Sequence, residues 1–233
     1  MGPAGRGKAI ANLIEFAPGE RVCSILDVKE FREDQFVIML TTNGLIKKTR
    51  LSEFKNVRKG GILAMTIQPK SELFTVQLTS GKQDVIIGTK LGRALRFKES
   101  DVRAMGRQAA GVKAVRLKPK DAVIGLILPG PEDRFVFTAS DRGYGKKTEI
   151  EQYPRHRRGG QGVLNLKVSA KIGNALTLVG VSEEELLLIT AEGKVIRIKT
   201  TQFRPLSRAT QGVRIINLDE KDRVCSVAKV RES

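Results

Sequence analysis

Four apolar segments of this chain end in a turn glycine and are followed, four residues after that glycine, by a cation. They are FVIMLTTNGLIKK, DVIIGTKLGRALR, FVFTASDRGYGKK and ELLLITAEGKVIR, and their glycines, Gly44, Gly92, Gly143 and Gly193, recur at spacings of 48, 51 and 50 residues. A period of this length is the mark of stacked or radially arranged units, each too small to bury its own apolar face. Within a copy the apolar residues follow a period of two, which places one face of a strand toward a core. Thr-Asn-Gly, Lys-Leu-Gly, Asp-Arg-Gly and Ala-Glu-Gly are hairpin connections in which glycine supplies positive φ. Each hairpin is followed by a Gly- and Arg-rich loop, a third strand (LAMTI, VKAVRL, VLNLKV, VRIINL), a polar turn and a fourth strand (ELFTVQL, DAVIGLIL, NALTLVG, DRVCSVA). Four short strands per repeat, with helical turns only around SEF, ESDV and TTQF, predict a radial all-β array.

The whole chain, 1–233, then reads as one domain with repeats at 36–83, 84–133, 134–182 and 183–233. Residues 1–35 carry IANLIEF and ERVCSIL, which match the third and fourth strands of a repeat without its first hairpin. They are expected to be the back half of a further unit, which would make this an N-terminally truncated piece of a longer protein.

The chain holds 42 Lys and Arg against 25 Asp and Glu, a formal charge of +17. Residues 1–35 carry −1, and the four repeats carry +6, +4, +6 and +2, so the excess is spread through the architecture. Such a field favours a polyanion or an anionic membrane as partner, with simple solubility as the bland alternative. No stretch is long and apolar enough to span a bilayer, and the N-terminus lacks a signal-peptide core, which predicts a cytoplasmic protein. Cys23 in ERVCSIL and Cys225 in DRVCSVA share one phase of the repeat, which predicts small buried hydrophobes instead of a disulfide. With His156 as the single histidine, no zinc set or other metal site is expected.

Two basic series follow the repeat. On the second hairpin strands Lys48, Arg96, Lys147 and Arg197 share one phase, with Arg50, Lys98 and Lys199 two residues on, while Glu149 breaks the series. In the loops stand Arg58 and Lys59, Arg107, Arg157 and Arg158, and Arg208, the densest being Arg157-Arg158-Gly159-Gly160-Gln161-Gly162. Arginine binds phosphate in bidentate fashion and glycine admits close backbone approach, so these loops suit a nucleic-acid backbone. One such loop alone reads as a solvated connection; four in phase with a second cationic series favour phosphate contact, which positions a duplex without reading its sequence. Aromatic residues make up 5% with no tryptophan, which argues against base stacking as the main binding mode. No Walker loop, H-E-x-x-H or nucleophile elbow is present, and no catalytic residue is expected. Tyr144 in a hairpin and Tyr153 before a basic loop suit turn and packing roles, and Glu183, Glu184 and Glu185 read as a solvated turn.

The segments GRGKAIANLI, TNGLIKKTRLSEF, LRFKESDVRAMGRQAAGV, RGYGKKTEIEQYP and ATQGVRIINL together resemble the C-terminal domain of bacterial DNA gyrase A. The resemblance covers essentially the whole chain. It implies a β-pinwheel, a propeller-like disc of four-stranded blades whose neighbours exchange strands and whose basic rim bends and wraps duplex DNA. It further implies an A2B2 holoenzyme that supercoils DNA with ATP and Mg bound elsewhere, no cofactor in this piece, a nucleoid-associated place in the bacterial cytoplasm, and a cleaving tyrosine that belongs to a preceding core. Neither Tyr144 nor Tyr153 inherits that role. The family's hallmark box, Gln-Arg-Arg-Gly-Gly-Lys-Gly, would precede Met1; His156 to Gly162, HRRGGQG, is a box-like loop at the ordinary position of its own repeat. The alternatives are the corresponding domain of topoisomerase IV and a propeller that binds a partner protein; a binder of anionic lipid is a weaker third, since no basic amphipathic helix is apparent.

Overall fold

The computed structural model describes residues 14, 16–58 and 60–230. Alternating apolar residues around the turn glycines fold as four hairpins. These are β1 (Phe36–Thr41) with β2 (Leu45–Arg50), β4 (Asp84–Thr89) with β5 (Arg93–Lys98), β8 (Phe135–Ser140) with β9 (Tyr144–Glu149), and β12 (Glu185–Thr190) with β13 (Val195–Lys199). The turn glycines Gly44, Gly92, Gly143 and Gly193 all take positive φ, between 75° and 84°. A short 3₁₀ turn closes each hairpin, at Leu51–Phe54, Glu99–Asp101, Ile150–Gln152 and Thr200–Gln202.

The fourth strands, β3 (Leu73–Thr79), β7 (Val123–Ile127), β11 (Ala175–Val181) and β15 (Val224–Lys229), pair with the first strand of their own hairpin. The third strands are shorter than the sequence suggests. β6 (Val112–Lys113), β10 (Val163–Leu164) and β14 (Val213–Arg214) have two residues each, and LAMTI forms no strand. They also leave their own repeat: β6 pairs with β2, β10 with β5 and β14 with β9, each on the hairpin of the preceding repeat. The sheets therefore run β3-β1-β2-β6, β7-β4-β5-β10 and β11-β8-β9-β14, and the last holds only β15-β12-β13. β11 packs against both β7 and β15, which puts the fourth strands at the inside of the array and the exchanged strands at its rim.

Each blade buries its alternate apolar residues against the next. Ile38, Leu40 and Ile46 share a cluster with Val85, Ile87, Leu95 and Phe97, and Phe137 and Ala139 share one with Leu186, Leu188 and Ile198. Residues 20–26 form no strand, unlike the expectation; they run beside β3, where the Cys23 thiol donates to the Leu73 carbonyl at 3.1 Å and Ser24 to the Val76 carbonyl at 3.5 Å. IANLIEF lies mostly outside the described residues. The cysteine expectation is corrected as well: Cys23 and Cys225 are both exposed free thiols. Each sits at the open side of its strand or segment, where no further layer covers it.

Candidate nucleic-acid interface

The sequence signal that looked most like a track, a cation four residues after each turn glycine, is folded inward. Lys48 is 5% exposed; its Nζ donates to the Glu99 carbonyl at 3.2 Å and lies 3.5 Å from the Glu99 carboxylate, which is itself fully buried. Lys147 is 7% exposed, with Nζ 4.8 Å from the Phe135 ring centroid. Half-buried Arg96 donates to Asp84 at 2.8 Å and to the Ile150 carbonyl at 2.8 Å. The backbone at these positions also receives the next repeat: the N–H groups of Met105, His156 and Leu206 donate to the carbonyls of Lys48, Arg96 and Lys147, each at 2.8 Å. The series is therefore a blade-to-blade tether. Arg197, at the same position in the last blade, has no following repeat to hold; it is exposed and pairs with Glu185, as Lys199 does at 3.7 Å. Glu184 and Glu185 thus carry ion pairs, Glu184 with Lys229 at 2.5 Å, and only Glu183 stays exposed in the acidic run.

The loop series divides in two. Arg58 and Arg157 are exposed, as are Arg50 and Lys98 of the strand series. Lys59 lies outside the described residues. Arg107, Arg158 and Arg208 occupy one loop position and are half-buried. Arg158 donates to the carbonyls of Asp101 and Lys113 at 3.0 Å each, and Arg208 to the carbonyl of Leu164 at 3.0 Å, so these arginines staple their loop to the repeat before it. The Arg107 carbonyl receives the Nζ of Lys47, which also donates to the Ala64 carbonyl at 2.5 Å. Lys146 repeats the arrangement on the carbonyls of Ser207 and Arg208, at 2.7 and 2.6 Å. Burial lowers the Lys47 ammonium to about 8 and that of Lys146 to about 7.

Sequence reasoning missed the cations of the third strands. Lys113 and Arg116 after Gly111, Lys167 after Gly162 and Arg214 after Gly212 are all exposed along the rim, beside exposed Arg157. The signal is present in the sequence as G-V-K-A-V-R, G-V-L-N-L-K and G-V-R-I-I-N, but it becomes an outer edge only once the strand exchange is known. At one rim position Arg214 donates to the Tyr144 hydroxyl at 3.0 Å, and that hydrogen bond holds the phenol below its ordinary range. Tyr153 is 1% exposed, donates to Asn165 Oδ1 at 2.6 Å, and burial raises its phenol. Both tyrosines are structural in their surroundings.

A ring of antiparallel blades that exchange outer strands and carry cations on those strands defines a β-pinwheel with an electropositive rim. The family model described as DNA gyrase C-terminal domain, beta-propeller, matches residues 35–80, 83–129, 134–172 and 184–231, and the chain belongs to this family. It is 39% identical over 228 residues to the DNA gyrase A protein of Klebsiella oxytoca, and 34% identical over 234 residues to that of Haloquadratum walsbyi. Each alignment covers 97% of this chain but 26% and 27% of the relative, so the chain spans about a quarter of the length of these proteins. Among solved structures, the C-terminal domain of DNA topoisomerase IV superimposes with a TM-score of 0.89 at 28% identity, covering 96% of this chain and 70% of that one. The DNA gyrase A C-terminal domain does so with 0.84 at 25% identity, covering 95% and 74%. Among the described residues no helix is long and apolar enough to cross a membrane.

Proposed function

We propose that this chain is the duplex-binding and duplex-wrapping domain of a DNA gyrase A protein, acting through exposed rim cations. The observation that carries the reading is the alignment of Lys113, Arg116, Arg157, Lys167 and Arg214 along the exchanged strands and their loops, in a chain of this family. Of the residues named from the sequence, exposed Arg50, Arg58, Lys98, Arg197 and Lys199 can join that surface. Arg107, Arg158 and Arg208 shape it from beneath by holding the loops, and Lys48, Arg96 and Lys147 hold one blade to the next. Curving roughly 20–30 bp by about 40–90° costs on the order of 1–6 kcal/mol. Continuous phosphate contact around a convex edge offsets that cost, whereas one isolated patch does not.

Under this reading the chain itself is not catalytic. It serves an A2B2 type II topoisomerase in the bacterial cytoplasm, where ATP and Mg bind other parts of the holoenzyme and the wrapped segment is presented for strand passage. The likeness to the topoisomerase IV domain supports a second reading within the same class, the corresponding domain of that enzyme. Binding is expected to be sequence-tolerant, with log K falling by about 0.9 per unit of log salt for each phosphate neutralised. The test is to titrate the chain with duplexes of differing sequence at several salt concentrations, following end-to-end FRET for the bend. A shallow salt slope, or binding without bending, overturns the wrapping role. Arg157→Ala is the informative single change, because Arg157 is exposed and makes no side-chain staple, so bending should fall while thermal stability holds.

A further inference from the structure

The array ends in two half-built junctions whose parts match each other. In every complete junction an exchange glycine of positive φ, Gly111, Gly162 or Gly212, sits against the preceding hairpin, where an added Cβ would come within 2.6, 2.2 and 2.5 Å of the carbonyl oxygens of Ile46, Ala94 and Gly145. The turn glycine of that hairpin accepts two N–H groups in return: Gly44 from Ala114 and Val115, Gly92 from Asn165 and Leu166, Gly143 from Ile215 and Ile216. Gly61 holds the exchange position of the first repeat, with φ of 76°, and nothing lies within 4 Å of its Cβ direction. Gly193, the turn glycine of the last hairpin, has φ of 83° and is equally unopposed. Residues 62–66 are nonetheless held on their other side like their counterparts. Thr66 N–H donates to the Ala109 carbonyl, as Arg116 does to Gly160 and Lys167 to Thr210.

The side chains at the two ends are complementary by the rule of the complete junctions. One cross-strand pair joins a cation to an apolar or aromatic residue: Leu45 with Lys113, Arg93 with Leu164, Tyr144 with Arg214. The other joins two small or apolar residues: Ile46 with Val112, Ala94 with Val163, Gly145 with Val213. The open ends offer Lys194 with Leu63 for the first pair and Val195 with Ile62 for the second. Leu63 is 57% exposed and Val195 61%. Val213 apart, the exposed large apolar side chains among the described residues fall within 14–31, within 57–67, or on the last hairpin.

We propose that the open edge of β13 accepts residues 62–65 of a second copy of this chain, forming a head-to-tail junction with the geometry of the internal ones. Lys194 lies opposite Leu63 and Val195 opposite Ile62, and the N–H groups of Ala64 and Met65 of the second copy donate to the Gly193 carbonyl. Such a contact is heterologous: each copy keeps one free end, so association continues beyond a dimer.

The test is the molar mass of the whole chain by light scattering, at rising concentration in about 0.3 M salt, where the repulsion of a basic surface is screened. Mass should grow above 25.6 kDa. Leu63→Lys and Val195→Asp, at exposed positions, should each give a monomer of unchanged thermal midpoint. Mixing the two should give a one-to-one dimer, because each retains the end the other lacks. Adding Lys194→Glu to Leu63→Lys should restore assembly by charge exchange. A parent chain that stays monomeric, leaving both edges to a segment outside this chain, overturns the proposal. So does assembly that persists in either single variant, or a mixture that does not pair.

Discussion

Lys48 and Glu99 show how a side chain that reads as surface charge becomes an interior part. The Glu99 carboxylate is fully buried and accepts from Thr79 Oγ1 at 2.6 Å, with Lys48 the one cation in its ion pair. Removing one partner of a buried pair leaves an uncompensated charge, at about 3–5 kcal/mol. Lys48→Met should therefore lose about that much in urea unfolding, and much of it should return when Glu99→Leu is added; a loss below about 1 kcal/mol contradicts the tether. Lys146 makes a second prediction. Its folded value of about 7 lies below the ordinary 10.5, so between these values the unfolded chain binds more protons than the folded one. Its contribution to stability therefore rises with pH from about 7 upward, by at most about 1.4 kcal/mol per unit, and is flat below 7. Thermal midpoints of the parent between pH 7 and 9.5 should climb relative to Lys146→Met, which has no group to titrate there. At this scale the sequence marks which positions are basic but not which way they face. A lysine in an alternating strand looks the same whether water or a neighbouring blade's carbonyl receives its ammonium.

The hairpin is the element most legible from sequence, because its signals are local: alternation, a turn glycine, a second alternation. The third strand is the least legible. Its two paired residues stabilise nothing within their own repeat, and its partner lies some seventy residues earlier, as with Arg214 and Tyr144. Neighbouring glycines show the difference that tertiary contact makes. Gly92 and Gly193 both hold positive φ in equivalent turns, but an added Cβ at Gly92 would come within 2.0 Å of the Leu166 carbonyl oxygen, while at Gly193 it meets nothing. Gly193→Ala should cost about 1–2 kcal/mol from backbone strain alone. Gly92→Ala carries overpacking as well, about 1–3 kcal/mol more. Chemical denaturation of the two variants side by side checks this, and equal losses would mean that the exchanged strand does not close on Gly92 as described.

For the molecule as a whole, the rim reading makes a quantitative demand on DNA binding. Arg116→Ala and Lys167→Ala should each reduce the salt slope by about 0.9 if each neutralises one phosphate. Lys147→Met, inside the junction, should leave the slope of the remaining folded protein unchanged. An effect of Lys147→Met equal to that of Arg116→Ala would return the track to the buried series. The sequence by itself determined the repeat, the all-β class, the hairpins, the spread of positive charge and the family, because each rests on residues close together in the chain or on composition. Only the tertiary structure decided which cations reach the rim and which tie blades together. Strand exchange turns the second hairpin strand from an edge into an interior strand, and so moves its charges from solvent to a neighbour's carbonyls and carboxylates. The glycine-and-cation signature that recurs through the chain is thus the mark of the junction, and the surface that meets a polyanion is carried by the strand that junction receives.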